Sequence, residues 1–240
     1  MKNIQIHLKL LFCLLFAFSF AALSAQGVEG NRNVIKQDRG HSGFSAIEIG
    51  NGVDLYLEQG DVESVTVKAD ENLADLIKTR MEGNTLVIST GKMSIRDYKA
   101  FAVHAVVKNL ERIDARSGSD IYGVNTIRSN KLEMVLKGGS DIEMELETQT
   151  LHCQLTGGSD ADLKGAADHL IVNARGGSDL RAKKMTAKKC ELDVGGGSDA
   201  YVNVKEELDA RASGASDIYY TGNPSVVHEK AKGASDIHSN

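Results

Sequence analysis

The second half of the chain alternates apolar and polar residues in short runs that return at a fixed interval. Counted from seven aspartates about 20 residues apart, apolar residues almost always stand nine, seven and five positions before the aspartate and one position after it. Around Asp160 these are Leu151, Cys153, Leu155 and Ala161, with polar residues between most of them. Alternation with period two is the pattern of a β-strand with one buried face. Each repeat therefore predicts strand, and no segment offers a helical stripe with caps.

A motif of small residues marks each return of the pattern. Gly-Gly, Gly-Ala or Ser-Gly is followed by Ser-Asp, and the serines step by 21, 19, 19, 20, 18 and 19 residues. A fixed period near 20 is the signature of a solenoid. The motif residues are Ser119, Asp120, Ser140, Asp141, Ser159, Asp160, Ser178, Asp179, Ser198, Asp199, Ser216, Asp217, Ser235 and Asp236.

A repeat of this length cannot bury its own core, so the core must come from stacked repeats. The sequence predicts an all-β solenoid with one coil per repeat and successive coils ~4.8 Å apart. Glycine tolerates positive φ and close approach of a neighbouring coil, which places the motif at a corner. Strict alternation points the serine inward and the aspartate outward. Seven carboxylates would then form one column and repel one another. Hydrogen bonds from backbone N–H groups, solvent or bound cations must offset this repulsion.

The first residues have the pattern of a secretory signal peptide. Lys2 and Lys9 precede an apolar run that extends to Leu23, and the small residues Ser24 and Ala25 follow it. We expect residues 1–25 to be removed on export to the periplasm, the outer surface or the medium, and no membrane span to remain. Residues 26–42 then form a leader, 43–115 an N-terminal β region of diverged coils or a cap, and 116–240 the repeat solenoid. Within 43–115, Asn51-Gly52 is typical of a β-hairpin turn.

The net charge of the chain limits the classes of molecule that it can bind. Loss of Lys2 and Lys9 changes the formal net charge from −5 to −7, and a mildly acidic chain argues against nucleic acid or an anionic membrane as partner.

Cys153 and Cys190 stand in different columns two coils apart, too far for a disulfide. We expect both to be free thiols that fill the core, and their spacing does not match a zinc site.

Several stretches resemble a known family. They are Gly43-Phe44-Ser45-Ala46-Ile47, the run from Val53 to Gly60, Val65-Thr66-Val67, Leu86-Val87-Ile88 and the Ser-Gly-Ser-Asp of residues 117–120. The chain is similar over roughly residues 40–225 to the family called putative auto-transporter adhesin, head GIN domain. The resemblance implies a right-handed β-helix-like fold outside the cytoplasm. It implies no established activity and brings no catalytic residues.

The leading functional hypothesis is a non-catalytic, adhesin-like binding module for a surface protein or glycan, because a solenoid offers a long face. The outward column two residues after each aspartate would meet the partner. It contains Tyr122, Glu143, Asp162, Arg181, Tyr201, Tyr219 and His238.

Three alternatives stay open. The aspartate column could bind calcium, although one aspartate per coil supplies few of the six to eight oxygens that calcium prefers. The favoured interpretation is that the motif closes the corner by hydrogen bonds to the backbone. Self-assembly could cover the last coil, where Glu229 occupies an inward position. A polysaccharide-acting enzyme is disfavoured because the carboxylates are regular and no catalytic motif is present.

Overall fold

The structure is a computed structural model that describes residues 27–91 and 94–240, so the predicted signal peptide lies outside the described residues. These residues form a β-solenoid of about seven turns, which confirms the predicted fold class. The strands are β1 (Val28–Glu29), β2 (Val34–Asp38), β3 (Ala46–Gly50), β4 (Asp54–Gln59), β5 (Ser64–Asp70), β6 (Lys78–Glu82), β7 (Thr85–Ser89), β8 (Ile95–Arg96), β9 (Phe101–Val107), β10 (Arg112–Arg116), β11 (Ile121–Gly123), β12 (Ile127–Lys137), β13 (Ile142–Thr156), β14 (Ala161–Arg175), β15 (Leu180–Gly195), β16 (Ala200–Gly214), β17 (Ile218–Thr221), β18 (Val226–Gly233) and β19 (Ile237–Ser239). A helix, α1 (Glu71–Ala74), follows β5.

Each central coil is one long strand that runs from one motif to the next. Strands β13, β14, β15 and β16 stack in parallel, so that Leu151 lies beside Leu170, Leu170 beside Cys190 and Cys190 beside Leu208. In β13 every second residue is buried over 142–146 and again over 151–155, with polar residues between the two segments. The break in alternation is a second corner. Each coil therefore has two faces, and the Ser-Asp motif and this second corner join them.

The motif serines form a ladder inside the first corner. All seven are buried, and the preceding glycine pairs, such as Gly157 and Gly158, have positive φ values. The backbone N–H groups of Gly158 and Ser159 both donate to Oγ of Ser178 in the next coil, at 3.1 and 3.0 Å. The backbone N–H groups of Ser119, Ser140, Ser178 and Ser198 each donate to the next motif serine at 2.9–3.2 Å. The hydroxyl groups thus satisfy buried donors that the corner would otherwise leave without partners.

Asn51-Gly52 makes a solenoid corner, and the expected hairpin is wrong. The flanking strands β3 and β4 do not pair with each other: β3 lies parallel to β7 and β10, and β4 lies parallel to β9 and β11. Both Asn51 and Gly52 have positive φ, at 66° and 72°, as do Ser117 and Gly118 in the following corner. The backbone can therefore turn without the strands pairing, because their partners lie in the coils above and below.

The order of coils at this end differs from their order in the sequence. Strands β7 and β9 form the outermost coil, β3 and β4 the next one, and β10 and β11 the one after. Strand β5 pairs antiparallel with β9, β2 pairs antiparallel with β5, and β6 pairs antiparallel with β7. Residues 43–115 thus contain both coils and an antiparallel cap. One hydrophobic core extends from Phe44 to Tyr220 through the cap and the coils.

A buried carboxylate fastens the leader to this cap. Asp70 is fully buried and accepts hydrogen bonds from the backbone N–H groups of Arg32 at 2.8 Å, Ala100 at 3.0 Å and Lys99 at 3.2 Å. Burial by itself would raise the pKa of Asp70, but these N–H groups and the Arg32 charge together hold the pKa below its usual value. The ionised carboxylate joins three separate segments.

The C-terminal coil is far more exposed than those before it. All eight residues of β18 are exposed, although Leu208, Ala210 and Ala212, which hold the inward positions of the preceding coil in β16, are buried. Val227 is 39% exposed, and Glu229 occupies the inward position taken by Ala210 in the preceding coil. Inward charges and edge lysines such as Lys230 and Lys232 are features that discourage a strand edge from pairing with another chain.

We predict that Ser178→Ala lowers the free energy of unfolding by about 1–3 kcal/mol, because the buried N–H of Ser159 and the partly buried N–H of Gly158 lose their acceptor. Ser119→Ala is the matched control, since the Ser119 hydroxyl is buried and has no hydrogen-bond partner among the described residues. Its removal should leave stability unchanged or raise it. Urea denaturation of both variants measures the difference, and equal losses would contradict the role of the serine ladder.

Candidate binding face

The motif aspartates all lie outside the corner, in one column. Each one is partly or fully exposed, while the serine before it is buried. Eight carboxylates form this aspartate column, because Asp54 lies one coil before Asp120: the Leu55 N–H donates to the Asp120 carbonyl at 2.8 Å, as the Ile121 N–H does to the Asp141 carbonyl at 2.9 Å. The column comprises Asp54, Asp120, Asp141, Asp160, Asp179, Asp199, Asp217 and Asp236.

The aspartate side chains bond to the backbone of the next coil. The N–H of Asp160 donates to Oδ1 of Asp141 at 3.0 Å, and the N–H of Asp179 donates to Oδ1 of Asp160 at 3.1 Å. The same hydrogen bond joins each of the following coils, at 2.9–3.1 Å. In the last of them the N–H of Asp236 donates to Oδ1 of Asp217. One oxygen of each of these carboxylates is therefore engaged in holding the register, and Oδ2 remains for other contacts.

Repulsion within the column is visible at its N-terminal end. Burial raises the pKa of Asp54, and the charge of Asp120 raises it further. Burial likewise raises the pKa of Asp120, and the charge of Asp141 adds to it, while hydrogen bonds from the Asp141 N–H and the Tyr122 hydroxyl offset part of the increase. Like charges one coil apart therefore carry a cost that the backbone hydrogen bonds only partly offset.

A second outward column runs beside the aspartates. Strand register places its members side by side from coil to coil. We call it the ring column; in spatial order it comprises His104, Tyr56, Tyr122, Glu143, Asp162, Arg181, Tyr201, Tyr219 and His238.

Aromatic rings stack at both ends of the ring column. Tyr56 lies 4.8 Å from His104 and 5.3 Å from Tyr122, between ring centroids. At the other end, Tyr219 lies 4.9 Å from Tyr201 and 4.9 Å from His238, and the two tyrosine planes differ by 5°. Such distances are those of favourable aromatic pairs. The rings hold one another in place, so this part of the surface is ordered before a partner arrives.

Charged residues separate the two ring stacks. Glu143 pairs with Lys164 at 2.8 Å, and Arg181 pairs with Asp160 at 3.0 Å and with Asp179 at 3.2 Å. Pockets lie along the same face: one of about 240 Å³ is lined by Asp120, Tyr122 and Asp160 among others, and one of about 330 Å³ by Arg181 and Tyr201 among others. The face combines carboxylates, rings and local cations in regular rows.

Sequence reasoning missed the N-terminal part of this face. Asp54 belongs to the aspartate column, and Tyr56 and His104 belong to the ring column. In the corner before Asp54, Val53 replaces the motif serine. In the outermost coil, Ala102 of β9 pairs with Asp54 and takes the place of the aspartate. The available signal was the run Asn51-Gly52-Val53-Asp54-Leu55, which keeps the glycine-to-aspartate spacing of the motif and the apolar residue after the aspartate.

The cysteines lie in the core and not on this face. Cys153 and Cys190 are buried and free, each in a different column. Burial raises the pKa of the Cys153 thiol to about 12. Burial also raises the pKa of the Cys190 thiol, and the charge of Glu191 adds to this. Both groups remain protonated near neutral pH and act as small apolar side chains.

Comparison with known proteins identifies the family. The sequence profile of the family described as putative auto-transporter adhesin, head GIN domain, matches residues 43–224. The chain belongs to this family. The family predicted from the resemblance is thereby confirmed, and no curated protein matches the chain.

Solved structures of similar proteins share the fold. A putative adhesin from Bacteroides fragilis NCTC 9343 has 24% sequence identity and a TM-score of 0.84, covering 89% of this chain and 100% of that one. A putative lipid binding protein from Parabacteroides distasonis ATCC 8503 has 20% identity and a TM-score of 0.71, covering 89% and 99%. A putative adhesin from Parabacteroides merdae ATCC 43184 has 18% identity and a TM-score of 0.68, covering 89% and 98%. Within residues 27–91 and 94–240, no helix is long and apolar enough to cross a membrane.

One group on this head GIN solenoid brings metal-ligating atoms close together. Ligand atoms of Asp217, Asp236 and His238 lie within 4.8 Å of one another. Oδ1 of Asp217 already accepts the Asp236 N–H at 3.0 Å, and the His238 ring stacks on Tyr219. The group is therefore held together by contacts of its own, and it offers fewer oxygens than calcium prefers.

We predict that Asp120→Asn is more stable than the wild-type protein at neutral pH. An asparagine oxygen still accepts the Asp141 N–H, while the charge is removed. Because the pKa of Asp120 is raised in the folded state, its ionisation costs stability as pH rises through that pKa, so the advantage of the variant should disappear in acid.

The control is Asp120→Ala, which also removes the acceptor and should lower the free energy of unfolding by about 1 kcal/mol relative to Asp120→Asn. Denaturation curves between acid and neutral pH compare the three proteins. If both variants were equally destabilised at neutral pH, the carboxylate charge itself would be required.

We predict that calcium and chelator give coincident thermal unfolding curves, because Oδ1 of the aspartates is already bonded to the backbone. Scanning calorimetry with millimolar calcium or with chelator tests this. A midpoint that rises with calcium concentration would show binding to the native state and would make the aspartate column a cation site.

Proposed function

We propose that this protein is an exported, non-catalytic binding module that recognises a surface glycan along the ring column and the aspartate column. The observation that carries the proposal is the in-register row of outward rings beside a row of carboxylates. Tyrosine rings contact the apolar faces of sugars, and carboxylates accept hydrogen bonds from hydroxyl groups. The adhesin names of the family and of the similar structures agree with a binding role, and residues 1–25 supply the export signal.

The regular spacing favours a polymer over a folded protein partner. Outward carboxylates recur once per coil at the ~4.8 Å spacing of parallel strands, and rings recur at this spacing within each of the two stacks. A polysaccharide also repeats its donors and its apolar faces along its length, so several weak contacts can form together. The surface of a globular protein lacks such a repeat. Protein binding therefore remains the alternative that the experiment must separate.

The same regularity argues against catalysis. Glycoside hydrolysis uses two carboxyl groups whose environments drive their pKa values apart, with the sugar held between them. Here neighbouring aspartates such as Asp160, Asp179 and Asp199 occupy equivalent corners and make the same backbone hydrogen bond. The same backbone hydrogen bond at each of these corners does not mark one aspartate as an acid and another as a base.

Two other roles have less support. A lipid partner is suggested by the name of one similar protein, but the columns between the two faces are filled by buried side chains of the core, so an acyl chain would have to lie outside. Self-assembly through the last coil is opposed by inward Glu229 and by Lys230 and Lys232 along β18.

The test is binding of the purified protein to a glycan array and to lipid vesicles. The double variant Tyr122→Ser, Tyr201→Ser removes one ring from each stack and should weaken glycan binding by about tenfold or more. Ile171→Ser is the control, because Ile171 is a partly exposed apolar residue on the other face of the solenoid. Binding that survives the double variant, or binding only to protease-sensitive cell-surface components, would overturn the proposal.

A further inference from the structure

Strand β15 departs from the regular register beside the ring column. Ala182 pairs with Val202 of β16, but the next pair is Thr186 with Asn203, so three residues of β15 have no partner in β16. These residues are Lys183, Lys184 and Met185. Met185 is buried in the core, while both lysines are exposed. The bulge therefore places two ammonium groups on a face that is otherwise rich in carboxylates.

The lysines border the pocket of about 330 Å³ next to Tyr201. Its lining is Asp162, Asp179, Arg181, Lys183, Lys184 and Tyr201. This volume lies at the small end of the range for ligand pockets and suits a single sugar unit.

One face of the Tyr201 ring is directed toward this pocket. Tyr219 stacks on the other face at 4.9 Å. Arg181 precedes Tyr201 in the ring column, but its guanidinium pairs with Asp160 and Asp179. The Lys183 ammonium lies 5.0 Å from the ring centroid. A flexible lysine is the cation over this ring, and it can move aside while it remains close enough to neutralise an anion.

The charge balance of the pocket favours an anionic ligand. Three cations line it against two carboxylates, and Arg181 is engaged with Asp179. Lys183 and Lys184 form no salt bridge within 4.0 Å with any residue that the structure describes. The two lysines are therefore available, whereas Lys188 and Lys189 on the same strand pair with Asp168 and Glu207 at 2.7 Å.

We propose that this pocket binds one uronic acid residue of an otherwise neutral glycan. The sugar carboxylate lies between the ammonium groups of Lys183 and Lys184, and the apolar face of the sugar covers Tyr201. Its hydroxyl groups donate to Asp162 and Asp179. A neutral sugar would leave the lysines without a counter-ion, and an inorganic anion would not use the ring. This inference rests on the proposed function and specifies the ligand of one part of the same face.

The experiment compares two xylo-oligosaccharides of equal length, one with a single glucuronic acid branch and one without it. Isothermal titration calorimetry of the full-length protein should give at least about tenfold tighter binding for the charged oligosaccharide, and the difference should shrink as salt is added. Lys183→Gln with Lys184→Gln should abolish the difference, and the double arginine variant should restore it.

Lys188→Gln with Lys189→Gln is the matched control, because it removes the same charge from the same strand outside the pocket. It should retain the preference within about twofold. Equal losses in the two lysine pairs, equal affinity of the wild-type protein for both oligosaccharides, or no measurable binding of the charged one would overturn the inference. Binding of neutral glycans through the ring column would still stand in those cases, whereas loss of all glycan binding would refute the proposed function as well. Inorganic phosphate that binds as tightly as the charged oligosaccharide would show a site for simple anions and would likewise overturn it.

Discussion

The hydrogen bonds that cross between coils at the Ser-Asp corner fix the geometry of the whole solenoid. Two side-chain ladders meet there and run in opposite directions. On the inside, the N–H of Ser159 donates forward to the hydroxyl of Ser178; on the outside, Oδ1 of Asp160 accepts from the N–H of Asp179 in that same next coil. Each corner is thus tied to its neighbour twice, through groups that a slip of one residue would separate. Without these side chains, the buried N–H groups of the motif serines would have no acceptors.

The candidate function depends on that register. A column of rings forms only if residues two positions after each aspartate remain side by side, as Tyr201 and Tyr219 do. Burial raises the pKa of Asp54 and Asp120, and the same register adds to this by bringing the aspartates within reach of one another. The stability of the corner and the charge of the face are therefore two consequences of one arrangement.

The repeats, the alternation and the inward and outward columns could be read from the sequence because each depends on local spacing. The N-terminal coils could not be placed in the same way. Val53 occupies the serine position of the first corner, so the motif was hidden, and the coil made by β7 and β9 stacks outside one that precedes it in the chain. Pairing between distant strands is decided by the packing of the whole core, and sequence spacing does not contain it. The bulge at Lys183 could not be predicted for a similar reason. Aligning the repeats on their aspartates shows that a repeat is longer, but it does not show at which residue the strand bulges.

The identity of the outward corner residue bears on the ligand. Asparagine would accept the same backbone hydrogen bond without repulsion, yet every one of the seven repeats carries aspartate. Charged acceptors make stronger hydrogen bonds, which accounts for part of this choice. The column also opposes close approach of any anionic group along its length, whereas cations outnumber carboxylates in the pocket beside the bulge with Lys183 and Lys184. An acidic sugar is then disfavoured along the aspartate column and favoured beside the bulge, so the repulsion that costs the fold some stability can limit the positions that a polymer takes along the solenoid.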